Sequence, residues 1–352
     1  MQGPAPADIQ RLDTLLAAAK CVSVVVHTHP DGDALGSGAA LTAYLRLCRG
    51  KDACLLLPDP APASLDFLVD PAHTLVATDP LPVQARIAAS DLLVCLDMHS
   101  FGRSESLAAP LEASAARKVL IDHHLGPDRS AFDLVFSETE ISSASELLYW
   151  LLLGLPGVGS TGRLPMEVLA PLMAGMTTDT NNFANSVYPS TLQMASELLA
   201  AGVDRDAILD SLYHDYRENR FFAMGAFLSE RLVIMPEGVA YAVLDRAFLD
   251  RFDLQEGETE GFVNLPLGIG RVRMSIFLRE AEGQFRVSIR TKPGVSANRL
   301  ATESFHGGGH ECAAGGKLFF PQDIAGPEQA EAYVKAAAAR FMRNEISRLR
   351  SK

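Results

Sequence analysis

The sequence predicts an α/β protein: a mainly parallel sheet with helices on both faces, followed by a smaller α/β C-terminal domain. Three observations predict it. Over the first two thirds of the chain, short apolar runs alternate with helical patterns, as βαβ units do. After about Glu230 the pattern changes to strands joined by tight turns. The 352 residues also exceed what one hydrophobic core usually serves, so two domains are expected.

In chain order, apolar runs at 22–27, 53–57, 92–97 and 118–122 read as strands. Helical patterns cover 8–19, 36–48, 143–153, 165–177, 191–201 and 204–214, with Thr191 and Asp204 as N-caps of the last two. The polar, aromatic-rich stretch from His214 to Phe222 reads as a connector with helical character. Beyond it, 231–235, 239–244, 272–278 and 285–291 read as strands, with turns at Pro236-Glu237-Gly238 and Glu282-Gly283 and a final helix over 326–348. The domains are therefore drawn at 1–214 and 231–352, with 215–230 between them.

A hydrophobic content of 48% with 21% charged residues is ordinary for a globular protein. The net charge of −12 argues against attraction to long duplex nucleic acid, though a small phosphorylated substrate can bind where a metal reverses the local field. Five cysteines without C-x-x-C spacing read as small hydrophobes where they fall in or beside strands (Cys21, Cys54, Cys95), which suits a reducing cytoplasm. No charged segment followed by an apolar run opens the chain, so no signal peptide is expected. The most apolar stretch, 147–155, is far short of the roughly 20 residues a bilayer span needs, so no membrane role is expected.

The chemistry gathers at strand ends. One strand closes on Asp122-His123-His124, and another runs into His27-Thr28-His29-Pro30-Asp31-Gly32-Asp33. His and Asp together are ligands for hard or borderline divalent cations, and open α/β sheets bind ligands at strand carboxyl ends. If Asp31 and Asp33 lie in an extended loop, both carboxylates face one cavity, and the loop would feed a helix N-terminus at Gly36-Ser37. Alone, such a D-x-D is more often a solvated turn; His27 just upstream favours the metal. Asp97 ends a third apolar strand at the same rim, or caps the turn with Ser100. Arg103 could orient Asp97, neutralise a phosphate, or sit on the surface. Asp179 follows a helical run and would be an ordinary polar loop residue without the others.

In the second domain, His306-Gly307-Gly308-Gly309-His310 offers a backbone that can approach a ligand closely and form an anion-binding nest. Arg290 and Asn298 could join it, or be surface polar residues. Gly157-Val158-Gly159-Ser160-Thr161-Gly162 fits a dinucleotide-binding pattern literally, but it follows a helix rather than a strand and is set aside. His73, His99 and His214 lack ligand spacing and read as surface or capping histidines, and Trp150 reads as core.

Taken together these segments resemble the DHH phosphoesterase superfamily with its associated C-terminal domain. The likeness rests on His27-x-x-x-Asp31-Gly32-Asp33, Asp97, Asp122-His123-His124, Gly175-x-x-x-Asp179 and Gly307-Gly308-Gly309-His310 with Ala313-Ala314-Gly315, all in order. Within it the chain is most similar to the oligoribonuclease and pAp-phosphatase group (NrnA-type). The resemblance implies two Mn²⁺ ions, with Mg²⁺ or Co²⁺ as substitutes, and an active site in the inter-domain cleft. It assigns His27, Asp31 and Asp97 to one metal, and Asp33, Asp97, His123 and Asp179 to the other. It makes Asp122 the group that fixes the ligating histidine's tautomer, and puts His124 on the scissile phosphate or leaving oxygen. Arg290, His310 and the glycines 307–309 would bind the substrate's remote end. Where family members often carry Asn after the triplet, this chain reads Leu125-Gly126-Pro127-Asp128.

The implied activity is metal-dependent hydrolysis of short oligonucleotides to 5′-mononucleotides, or dephosphorylation of pAp, in the cytoplasm, with a homodimer left open. The alternatives are a cyclic or linear dinucleotide phosphodiesterase and a RecJ-like single-strand exonuclease. A family II pyrophosphatase is disfavoured because Ser288-Ile289-Arg290-Thr291-Lys292 lacks its Arg-Lys-Lys clamp. A decayed, non-catalytic nucleotide sensor is disfavoured because no metal ligand is missing.

Overall fold

Six parallel strands form the first sheet: β1 (Cys21–Val25), β2 (Asp52–Leu57), β3 (Thr74–Val76), β4 (Leu92–Leu96), β5 (Arg117–Asp122) and β6 (Leu134–Ser137). The structure is a computed structural model that describes residues 5–213 and 216–350, and it divides into units Met1–Asp215 and Tyr216–Lys352. The strand order is β3-β2-β1-β4-β5-β6, so chain direction across the sheet reverses between β1 and β4. Crossovers leave opposite faces on the two sides of that point, and the crevice between them is where such sheets bind ligands. Val25 pairs with Cys95, and Leu96 with Ile121, so β1, β4 and β5 end level with one another.

The helices of this unit are α1 (Pro6–Ala18), α2 (Gly32–Ala43), α3 (Pro80–Ala89), α4 (Ala108–Ala113), α5 (Ala144–Gly154), α6 (Met166–Asp179), α7 (Pro189–Ala200) and α8 (Arg205–Tyr213). On one face Leu35, Leu41, Leu148, Leu152 and Leu172 pack on Val22, Val24 and Val94. On the other, Val83, Ile87 and Leu111 cover Val25, Leu93 and Cys95. Both faces of β4 are thus buried, which is why its sequence is apolar without alternation.

Several boundaries differ from the sequence expectation. β3 and β6 are too short to show a period, and α3 and α4, with their prolines at Pro80, Pro82 and Pro110, read as loops. α2 starts at Gly32 rather than 36, because Asp31 caps it by accepting from Asp33 N and Ala34 N, each at 3.1 Å. Asp33 is therefore a helical residue, not part of an extended D-x-D loop. Gly36 falls inside the helix, where a Cβ would lie 2.5 Å from the Pro171 carbonyl oxygen, so glycine is what lets α2 close on α6. Thr191 is not the N-cap of α7: Tyr188 holds that place and donates its N–H to Thr191 Oγ1 at 3.1 Å. Asp204 does cap α8, accepting from Ala207 N at 3.0 Å. Cys54 and Cys95 are buried, but Cys21 is half-buried, as is Trp150, which packs on the core's edge.

The second unit contains α9 (Glu218–Ala226), β7 (Val233–Ile234), β8 (Val239–Leu244), α10 (Arg246–Arg251), β9 (Met274–Ala281), β10 (Gln284–Thr291), α11 (Ala297–Ser304), β11 (Gly308–Gly309), β12 (Ala313–Phe319) and α12 (Ala330–Arg350). Its sheet runs β11-β12-β10-β9-β8-β7, with β8 and β9 parallel and the other pairs antiparallel. One core lies between this sheet and α11 and α12, and a second under α9 and α10. The described part of 215–230, read from the sequence as a connector with helical character, is α9 and a π-helical turn that group with this unit. β11, β12, α10 and α11 were not expected from the sequence. The glycines of β11 and β12 hide their strand character, and α10 spans only 6 residues. His214 lies outside the described residues. No helix among the described residues is long and apolar enough to cross a membrane.

Candidate metal centre

The chain leaves β1 through Val26 and turns at His27, which is buried. His27 Nδ1 donates to the Thr28 carbonyl at 2.8 Å, which leaves Nε2 as the edge that faces the carboxylates. That nitrogen is 3.7 Å from Asp31 Oδ1 and 3.3 Å from Asp97 Oδ2. The loop is held at its back by Asp59, which takes hydrogen bonds from the Thr28 hydroxyl and from His29 N.

Asp97 follows β4 directly and has φ of +56°, a left-handed conformation that L-residues adopt rarely and functional sites often impose. Its N–H bonds the Ile121 carbonyl at 3.1 Å, which ties the residue to β5. While Oδ2 faces His27, Oδ1 lies 3.3 Å from His123 Nε2 and 3.5 Å from His124 Nδ1, buried and with no hydrogen-bond partner. His123 Nε2 is also 3.4 Å from Asp179 Oδ2, at the C-terminus of α6, and 3.9 Å from Asp33 Oδ2. Asp33 is clasped from behind by the first amides of α5: Ala144 N at 2.6 Å to Oδ2 and Ser145 N at 2.9 Å to Oδ1.

The electrostatics follow from burial. Desolvation works against a charged His27, but hydrogen bonds and charge from Asp31 and Asp97 outweigh it and carry the imidazole up to about 10. Burial likewise opposes charge on Asp97, yet the imidazoles of His123 and His27 beside its two oxygens hold it well below the usual carboxylate range. Asp31, whose side chain is exposed, is lowered by its interaction with His27. Burial and then the neighbouring Asp97 charge push Asp33 up to about 7, and burial pushes Asp179 well above its usual range. His123 is raised by Asp179 and Asp97 against desolvation.

Among the described residues, no Arg or Lys forms an ion pair with Asp31, Asp33, Asp97 or Asp179; their partners are all imidazoles. Buried carboxylates without cations are costly. The ligand atoms of His27, Asp31 and Asp97 lie within 4.8 Å of one another, and so do those of Asp33, Asp97 and His123. Mixed imidazole and carboxylate sets of this kind suit divalent first-row cations, and Asp97 stands in both groups.

The six residues expected to hold metal therefore meet at one place. Others differ from expectation. Asp122 bonds His124, not His123: its Oδ1 accepts from His124 Nδ1 at 2.8 Å and its Oδ2 from His124 N at 3.2 Å. Arg103 makes no bond to Asp97; its buried Nε is unpartnered, and its guanidinium lies near His99, whose pKa is lowered by burial and by that charge. His99 itself is no surface residue, since its ring is half-buried and 6.1 Å from that of His124. Its place two residues beyond a strand-end aspartate was the signal for it. His73, by contrast, pairs with Asp70 at 2.7 Å.

In the second unit, Asn298 Nδ2 donates to the Gly309 carbonyl, and Arg290 Nη1 to the Ile289 carbonyl at 3.1 Å. Gly308 and Gly309 are paired as a strand with Gly315 and Ala314. Gly307 N donates to the Ala301 carbonyl at 3.2 Å and His310 N to that of Ala313 at 2.7 Å. Two N–H groups at the ends of the run are thus engaged, so it is less an open nest than a strand packed backbone to backbone. A Cβ on Gly307 would fall 1.9 Å from the Gly315 oxygen.

A model of the DHH family N-terminal domain matches residues 21–176, and one of the DHHA1 domain matches 237–342. The chain is 32% identical over 312 residues to the bifunctional oligoribonuclease and PAP phosphatase NrnA of Thermus thermophilus, covering 87% of this chain and 86% of that protein. It is 27% identical over 303 residues to the protein of the same name from Bacillus subtilis, covering 84% and 90%. A solved exopolyphosphatase-related protein from Bacteroides fragilis superposes with a TM-score of 0.89 at 31% identity, covering 98% of this chain and 99% of that one.

Proposed function

The chain belongs to the DHH family, a family of phosphoesterases, and from that membership we propose that it is a manganese-dependent hydrolase of short oligoribonucleotides and pAp. The products would be 5′-mononucleotides and, from pAp, free phosphate. The observation that carries the reading is Asp97, one buried carboxylate whose two oxygens face two different imidazoles.

In this reading His27, Asp31 and Asp97 hold one Mn²⁺, and Asp33, Asp97, His123 and Asp179 the other, with Mg²⁺ or Co²⁺ able to substitute. Such a pair polarises a phosphoryl oxygen and lowers the pKa of the attacking water. The protein's own groups supply position and proton control. Asp97 keeps both ligand sets in register, because its backbone is tied to β5. Asp122 accepts a hydrogen bond from Nδ1–H of His124, which would turn the Nε2 edge of that ring to the scissile phosphate or the leaving oxygen. Arg103 balances phosphate charge near His99. Arg290, Asn298, Gly307, Gly308, Gly309 and His310 receive the substrate's remote phosphate or base-proximal oxygen. The same reading places the enzyme in the cytoplasm, where its five unpaired cysteines stay reduced.

The deciding assay compares kcat/KM with manganese on pAp, a linear diadenylate, a pentaribonucleotide, cyclic diadenylate and pyrophosphate. The first three should lead. Pyrophosphate or the cyclic dinucleotide as best substrate would overturn the reading, and processive digestion of a long single strand would mark an exonuclease instead. His310→Ala should raise KM for the pentamer several-fold with kcat little changed; a loss confined to kcat would remove it from substrate binding.

A further inference from the structure

We propose that Glu146 is a positioning residue for Asp33, acting through the first turn of α5; the inference rests on the metal-centre reading above. Glu146 is fully buried, and among the described residues it has no cationic partner. Its Oε2 accepts from Ser142 N at 3.1 Å, Ser142 Oγ at 2.5 Å and Thr191 Oγ1 at 2.6 Å, and its Oε1 from Trp150 Nε1 at 3.3 Å. Donors therefore arrive at both ends. A carboxylate accepts at both; a glutamine would turn its NH₂ against one of them. Hydrogen bonds and the positive end of α5 offset the cost of the buried charge.

What Glu146 holds is clear from its neighbours. Ser142 and Ser143 lead into the helix, and Ser143 Oγ caps it by accepting from Glu146 N at 3.0 Å. Ala144 and Ser145, the next two residues, supply the amides that clasp both oxygens of Asp33. Glu146 fastens this turn at Ser142 on one side and to α7, through Thr191, on the other. The turn has no slack towards α6, since a Cβ on Gly175 would lie 2.1 Å from Ser145 Oγ and 3.0 Å from Asp33 Oδ1. Buried charge at Glu146 is thus spent on aiming two backbone N–H groups, and these set which lone pairs Asp33 presents to a cation.

Groups that orient a metal ligand from outside typically change metal affinity by about 10- to 100-fold. The test is calorimetric titration with MnCl₂ of the full-length protein, as wild type, Glu146→Gln, Thr191→Val and Thr191→Ser, alongside thermal unfolding in EDTA. Glu146→Gln should weaken manganese binding by about 10- to 100-fold, with kcat at saturating metal within a few-fold of wild type. Thr191→Val should weaken it less, and Thr191→Ser, which keeps the hydroxyl, should bind as wild type. A folded Glu146→Gln that melts earlier in EDTA but binds manganese as wild type does would overturn the inference, since Glu146 would then be structural only. Should Glu146→Gln fail to fold, equal affinities of Thr191→Val and Thr191→Ser would overturn it instead. Wild-type protein that binds no manganese would refute the metal centre itself, a separate result.

Discussion

Asp97 concentrates the chemistry of the site in one side chain: a left-handed backbone, burial at 2% exposure, and two oxygens that face two different imidazoles. Asp97→Asn keeps the shape but halves the acceptor capacity and removes the charge. Hydrolysis should fall by about three orders of magnitude or more, as losses of key electrostatic groups do, with circular dichroism unchanged; wild-type rates would exclude a shared ligand. Protons compete for the same atoms. His27 rises from 6.5 to about 10, and Asp33 from 3.8 to about 7, so both bind protons more tightly folded than unfolded. Their contribution to metal-free stability is complete below the unfolded values and is lost as pH rises through the folded ones, from roughly 4 to 7 for Asp33 and 6.5 to 10 for His27. Asp97 and Asp31 act oppositely, stabilising above about 3.8 and losing that as pH falls through their lowered values. A cation must displace the His27 and Asp33 protons. Manganese affinity should therefore rise between about pH 6 and 8 with measurable proton release; isotherms independent of pH and buffer would contradict this assignment.

At the scale of elements, the site is assembled where helix ends meet strand ends. α2 brings Asp31 and Asp33 at its start, α6 brings Asp179 at its end, and the two pack closely enough that a Cβ on Gly36 would lie 2.9 Å from Gly175 backbone atoms. Gly36→Ala has no room for its methyl, because the obstructing atoms are backbone. It should destabilise the fold by about 1–3 kcal/mol, the usual cost of overpacking, and weaken manganese binding by spreading Asp33 from Asp179. A substitution that melts like wild type would show that the helices can part without loss. The same elements were unevenly legible in the sequence. α5 and α6 carry long apolar periods and stood out. α3 has prolines in its first turn, β3 has only 3 residues, and β11 is two glycines, so none offers a pattern to read.

Across the whole molecule, each unit carries its own apolar cores, and all six proposed metal ligands belong to the first. Manganese at about 100-fold its dissociation constant should add about 2.7 kcal/mol to the stability of the first unit. Calorimetric unfolding with and without EDTA should shift the transition that carries the first unit and leave one that carries only the second unmoved. A shift seen only in the second would relocate the metal. With a net charge of −12 the chain as a whole repels polyanions, and only bound divalent cations would make the cluster a local exception, which agrees with short substrates better than long ones.

The sequence by itself carried the proposed donor set: His27, Asp31, Asp33, Asp97, His123 and Asp179 lie near the ends of apolar runs or helical patterns, where open sheets bind ligands, and their order along the chain carries the resemblance to the DHH family. Only the tertiary structure decided the pairings. Asp122 holds His124 rather than His123, and Asp33 is clasped by amides more than 100 residues further along the chain. The reason is physical: side-chain type is written in the sequence, whereas a backbone N–H is common to nearly every residue, and where it points is settled only when helices dock on the sheet.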